Sequence, residues 1–143
     1  MVFIESSACF LAIPEGPGFE AVRKAVTEAL DQFQVRSLDL GTLSPHSKAP
    51  NISDTVERVD FVIADVTSES ADIFYQLGVA DALRKPTLMM AQKQVSLPGD
   101  LGNHQLLLYG PEEVSKLVEY LRFWIPEVIA MQRQRNAPIK SAS

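Results

Sequence analysis

The stretch VDFVIADVTSESADIFYQLGVADALRKP, Val59 to Pro86, changes its hydrophobic period once, and that change decides the fold. Phe61 to Ala64 is an unbroken apolar run ended by Asp65, as expected of a strand covered on both faces. A polar loop follows, Thr67 to Ser70. Ala71 to Leu83 then reads as a helix, and Arg84, Lys85 and Pro86 supply its stop. Strand, loop and helix of this kind are one half-turn of a parallel α/β sheet.

Outward from that unit the same grammar repeats. Ala8 to Ile13 is a second apolar run, halted by Pro14, Gly16, Pro17 and Gly18. Phe19, Val22, Val26, Leu30 and Phe33 then form a stripe at helical spacing. Val35 to Leu40 is a weaker strand, and Gly41 to Ser53 a loop leading to a short helix over Asp54 to Val59. Thr87 to Ala91 and Leu106 to Tyr109 add two strands around a loop holding Pro98, Gly99 and Gly102. Pro111, Glu112 and Glu113 fit the start of a last helix whose apolar face includes Leu117, Leu121 and Trp124, with Pro126 kinking or restarting it.

Five strands alternating with helices predict an open, all-parallel, flavodoxin-like sheet of order 2-1-3-4-5 with helices on both faces. Ligands of such sheets gather beyond the carboxyl ends of the strands at the topological switch point, here between the first and third strands. Pro14, Glu15 and Gly16 therefore face Asp65, Thr67 and Ser70 as candidate ligand-binding residues. The amides opening the helix near Ala71 favour an anionic or polar ligand there.

With 143 residues, 46% hydrophobic and 22% charged, the chain suits one domain, 1–143, with 136–143 a frayed tail. Thirteen basic against eighteen acidic residues give a net charge of -5, which removes the basic footprint of nucleic-acid binders. No run approaches the roughly 20 apolar residues of a bilayer span, so no membrane partner is expected. The opening residues lack a basic region before a short apolar run, which predicts a cytoplasmic protein. The sequon at Asn51-Ile52-Ser53 is accordingly read as chance.

One cysteine, Cys9, sits in a strand and is read as structural. His46 and His104 stand alone in loops, so neither a metal site nor a cofactor is expected. Gly16-Pro17-Gly18 lacks the Lys-Ser/Thr ending of a P-loop and reads as a turn. Phe74 is assigned to the core, while Tyr75 is divided between core and site.

Val59 to Thr67, Asp72 to Ala80 and Ala82 to Pro86 together resemble the nucleoside 2-deoxyribosyltransferase-like family, whose sheet is related to that of TIR-type domains. The family pattern, roughly Ala-Asp-Leu-Thr, then Asn-Val-Phe-Tyr-Glu-Leu-Gly and Lys-Pro, covers the middle third of the chain, and Ile13 to Phe19 is similar to the family's first loop. The resemblance implies a nucleoside or nucleotide ligand and chemistry at the N-glycosidic carbon, with a helix-borne glutamate as nucleophile. Gln76 occupies that glutamate's place, and an amide cannot act as nucleophile. Ser70 and Asp72 replace two asparagines of the pattern.

Three functions follow as expectations. The first is a nucleoside- or nucleotide-binding module with impaired catalysis, contacting its ligand through the residues above and Tyr75. The second is an active N-glycosidase or deoxyribosyltransferase in which Asp65, Asp72 or Glu69 supplies the carboxylate. The third is a receiver-like signalling domain with Asp65 as phosphoacceptor, which lacks the usual acidic pair and lysine. Phe123, Trp124, Ile125, Val128, Ile129 and Met131 crowd apolar groups around the last helix, predicting a homo-oligomer built through it.

Overall fold

A computed structural model describes residues 7–40, 51–93 and 104–136. The loop expected over 41–50 with His46, the Pro98 to Gly102 loop and the tail beyond Asn136 lie outside the described residues. The strands are β1 (Ala8–Ala12), β2 (Arg36–Leu38), β3 (Phe61–Asp65), β4 (Thr87–Gln92) and β5 (Gln105–Tyr109). They form one parallel sheet of order β2-β1-β3-β4-β5, as the alternation of elements predicts. The helices are α1 (Glu20–Gln32), α2 (Ile52–Glu57), α3 (Ala71–Ala82) and α4 (Val114–Asn136).

Strand side chains alternate between the two faces of a sheet, and here each face has its own core. Cys9, Leu11, Phe61, Ile63, Leu88 and Met90 point to one side, where α1 contributes Val22, Val26 and Leu30 and α4 contributes Leu117, Leu121 and Ile125. Phe10, Ala12, Val62, Ala64, Met89 and Ala91 point to the other, against Ile52 and Val56 of α2 and Ile73 and Leu77 of α3. Each large side chain so buried stabilises the fold by about 1.5–3 kcal/mol before chain entropy is charged against it. Cys9 lies in the first of these cores, and burial pushes its thiol up, which keeps it inert.

Three details depart from the sequence reading. Helix α2 runs over Ile52–Glu57, two residues earlier than expected, because Asn51 caps it by accepting a hydrogen bond from the Ser53 amide at 3.1 Å. The asparagine of the sequon is thus a helix cap. Helix α4 runs through Pro126 without a restart there. Trp124, Ile125 and Val128, counted toward an oligomer surface, belong to the core, and Trp124 stacks edge-on against Phe61 with ring centroids 5.4 Å apart. Phe123 and Met131 remain exposed on α4.

Candidate functional site

A cleft of about 370 Å³ opens over the carboxyl end of β1. Pro14 and Glu15 form one wall, and Ser70, Asp72 and Gln76 from the start of α3 form the other. These five are sequence-predicted site residues, brought together because the loops after β1 and β3 leave neighbouring strands at the same edge of the sheet. Ser70 is the residue preceding α3, and its hydroxyl makes no capping bond. Gln76, one turn after Asp72, is 7% exposed, a buried polar side chain on a wall otherwise closed by Leu11, Ile13 and Ile73.

A second hollow of about 450 Å³ shares Leu40, Asp72 and Gln76 with the first, so the two are lobes of one cleft. Its other lining residues are Asn51, Ile52 and Tyr75. Tyr75 is 64% exposed, which resolves its divided reading in favour of the surface, whereas Phe74 packs against the core as expected. One lobe is therefore rich in charge and the other offers an aromatic ring and two aliphatic side chains.

Arg23 and Asp39 were not singled out from the sequence, and both line the first lobe. The Arg23 guanidinium donates from Nη1 to Asp39 Oδ2 at 2.7 Å and from Nη2 to the Ile13 carbonyl at 2.6 Å. It thereby ties the end of β2 to the loop after β1. Asp39 was legible in principle, since it follows β2 at the sheet's carboxyl edge just as Asp65 closes β3. Arg23 carried the weaker signal of a cation in the first turns of a helix that follows the site loop.

Asp65 is not a pocket residue in this structure. It shares its side of the sheet with Phe61 and Ile63, is 0% exposed, and has both carboxylate oxygens engaged. Oδ2 accepts from the Tyr109 hydroxyl of β5, and Oδ1 accepts from the Thr67 amide at 2.9 Å. Thr67 Oγ1 in turn accepts from the Gln92 amide at 3.0 Å. Asp65 and Thr67 thus pin the ends of β3, β4 and β5 together. Burial, reinforced by the adjacent Asp65, pushes the Tyr109 hydroxyl well above the ordinary phenol range.

Gly16 lines neither lobe. It adopts φ of 121°, a conformation suited to glycine, and its carbonyl accepts from the Phe19 amide at 3.0 Å to close the turn into α1. Glu69 is exposed with φ of 50° in the loop after β3 and also lies outside both lobes. Neither it nor Asp65 is placed to act on a ligand in the cleft. Asp72 is, so of the carboxylates considered for catalysis it alone faces this space.

Elsewhere, His104 is not isolated, for its Nε2 pairs with Asp81 Oδ1 at the end of α3. Glu113, between Lys93 and Lys116, is held below the usual carboxylate range by their ammonium groups. Among the described residues, no three His, Cys, Asp or Glu side chains are grouped to hold a metal, and no helix is long and apolar enough to cross a membrane.

No family model and no curated protein matches the chain. Solved structures do. A CMP N-glycosidase of Clostridium botulinum, BcmB, is similar over 78% of this chain and 98% of its own, at TM-score 0.59 and 17% identity. A diflavin flavoprotein A3 from Nostoc sp. is similar over 94% of this chain and 100% of its own, at TM-score 0.60 and 15% identity. A response regulator receiver domain protein from Bacillus halodurans reaches TM-score 0.51 at 12% identity, over 82% of this chain and 97% of its own. At these identities the likeness is one of fold, and the chain has the flavodoxin-like architecture that the order of its strands predicts.

Proposed function

We propose that the protein is a nucleoside- or nucleotide-binding module in which N-glycosidic cleavage has been lost. The observation that carries this reading is Gln76, a neutral amide set into the wall shared by both lobes, at the position where the resembling family places its nucleophilic glutamate. An amide both donates and accepts hydrogen bonds, so it can hold a sugar hydroxyl, but it carries no charge to stabilise the cation that develops as a base departs. The exposed Tyr75 ring and the Leu40 and Ile52 side chains offer a surface for a heterocycle. The fold shared with a CMP N-glycosidase is compatible with the same class of ligand.

The competing enzyme reading rests on Asp72, and the receiver reading loses its acceptor because Asp65 is enclosed and fully hydrogen-bonded. A panel of nucleosides and nucleoside monophosphates, followed by thermal shift with free base measured in parallel, separates them. Binding without base release is the expected result. Gln76→Glu should bind the same ligand and is the substitution expected to release base from it, at a low rate because Ser70 and Asp72 still differ from the family pattern. Base release by the wild type that disappears in Asp72→Asn would establish the enzyme instead.

A further inference from the structure

The two walls of the cleft differ in what holds them. The α3 wall is anchored by packing, since Ile73 and Leu77 sit in the core on that face of the sheet. The loop wall has no such anchor: Pro14 is half-buried, Glu15, Gly16, Pro17 and Gly18 are exposed, and the bond from the Phe19 amide to the Gly16 carbonyl lies within the loop itself. Among the described residues, the side-chain hydrogen bonds that reach this loop come from Arg23 alone. Its Nη2 donates to the Ile13 carbonyl at 2.6 Å, with the Pro14 carbonyl at 3.5 Å, while its Nη1 donates to Asp39 Oδ2 at 2.7 Å. One planar guanidinium therefore fastens the start of the loop to the residue that follows β2.

Arg23 stands in the first turn of α1, where the helix dipole disfavours a cation, so its place is not explained by helix stability. Its reach explains it. Side chains on a helix lean toward the amino terminus, which carries this guanidinium back over the loop that precedes α1. A wall without that tether must be ordered by the ligand as it binds, and the ordering is deducted from affinity. Resting on the reading of the cleft as a ligand site, we propose that Arg23 is its positioning residue: it holds Pro14 and Glu15 opposite α3 before a ligand arrives, and it acts on affinity through that wall, not by contact with the ligand.

The test pairs NMR relaxation of the backbone amides in the free, full-length protein with isothermal titration of a nucleoside from the panel and of its 5′-monophosphate. In Arg23→Gln the order parameters of the Glu15 and Gly16 amides should fall from about 0.85 to below about 0.6, with those of α3 unchanged. Both compounds should bind about tenfold more weakly, the factor implied by ordering one or two loop residues on binding. Arg23→Lys, which keeps the charge without the fork, should lie between wild type and Arg23→Gln on both readouts, and it decides the matter if a thermal melt shows Arg23→Gln unfolded. Order and affinity falling together support the inference. A loop that stays ordered, a loop that loosens with affinity unchanged, or a loss several times larger for the monophosphate than for the nucleoside overturns it, the last by making Arg23 a phosphate contact. Binding of neither compound to the wild type overturns the ligand reading instead, and the order parameters still decide whether Arg23 holds the wall.

Discussion

Asp65 shows how the same residue type at the same kind of position can be support or site according to which side of the sheet it faces. Asp39 and Asp65 both stand at the carboxyl edge of a strand. Asp39 meets Arg23 beside open space, whereas Asp65 is sealed beneath Tyr109. Tyr109→Phe removes one bond to a buried carboxylate and should lower stability at neutral pH by about 1–3 kcal/mol, measured by urea unfolding. It should also change the alkaline limb. The folded-state pKa of Tyr109 is raised above that of an unfolded phenol, so its contribution is intact below pH about 10 and is lost as pH rises beyond that. The wild type should therefore lose stability above pH 10 more steeply than Tyr109→Phe. Parallel alkaline limbs would mean that the phenol titrates normally. By the same logic Asp65→Ala should weaken the fold, contrary to what a pocket residue would do.

Helix α3 carries the cleft wall, and its sequence gives up stability for composition. Gly78 lies on its exposed side, and a methyl group added there would meet no atom within 4 Å. Gly78→Ala should stabilise the protein by about 1 kcal/mol, because alanine loses less backbone freedom in a helix interior. In a domain of this size that corresponds to a rise in Tm of roughly 2–4 °C. A fall in Tm would show that the helix needs glycine for a reason its surroundings do not reveal. Gly16 is the contrasting case. Its φ of 121° is a conformation that L side chains rarely adopt, so Gly16→Ala should strain the turn whatever space surrounds it.

At the scale of the molecule, self-association through α4 was expected from six apolar residues, and packing takes three of them into the core. What remains is Phe123, 64% exposed, with Met131 and a partly buried Ile129. If α4 is an interface, light scattering at micromolar concentration should give a multiple of 15.8 kDa, and Phe123→Glu should return it to one chain. A wild-type mass of 15.8 kDa retires the expectation. Leu106 and Leu108 of β5 are also exposed, on the side of the sheet that α2 and α3 cover farther along. Their variants Leu106→Ser and Leu108→Ser serve as the matched control, since loss of association there and not at Phe123 would move the interface to the edge strand.

The fold was legible in the sequence because its determinants are local. Buried parallel strands must be apolar throughout, so Ala8 to Ile13 and Phe61 to Ala64 announce themselves, and right-handed crossovers restrict the order in which they pair. The meeting of Pro14 and Glu15 with Ser70, Asp72 and Gln76 followed from that order. The partition of the remaining residues was decided only in three dimensions. Whether Asp65 opens to ligand or locks the sheet depends on strand parity and on a tyrosine 44 residues away, and neither is visible in the residues around it. The pairing of Arg23 with Asp39 spans 16 residues and two elements, so no local pattern announces it. The lining of the cleft is for the same reason a tertiary property: Glu15 and Asp39 follow β1 and β2, Arg23 lies on α1 and Asp72 on α3, and only the folded sheet edge brings them together.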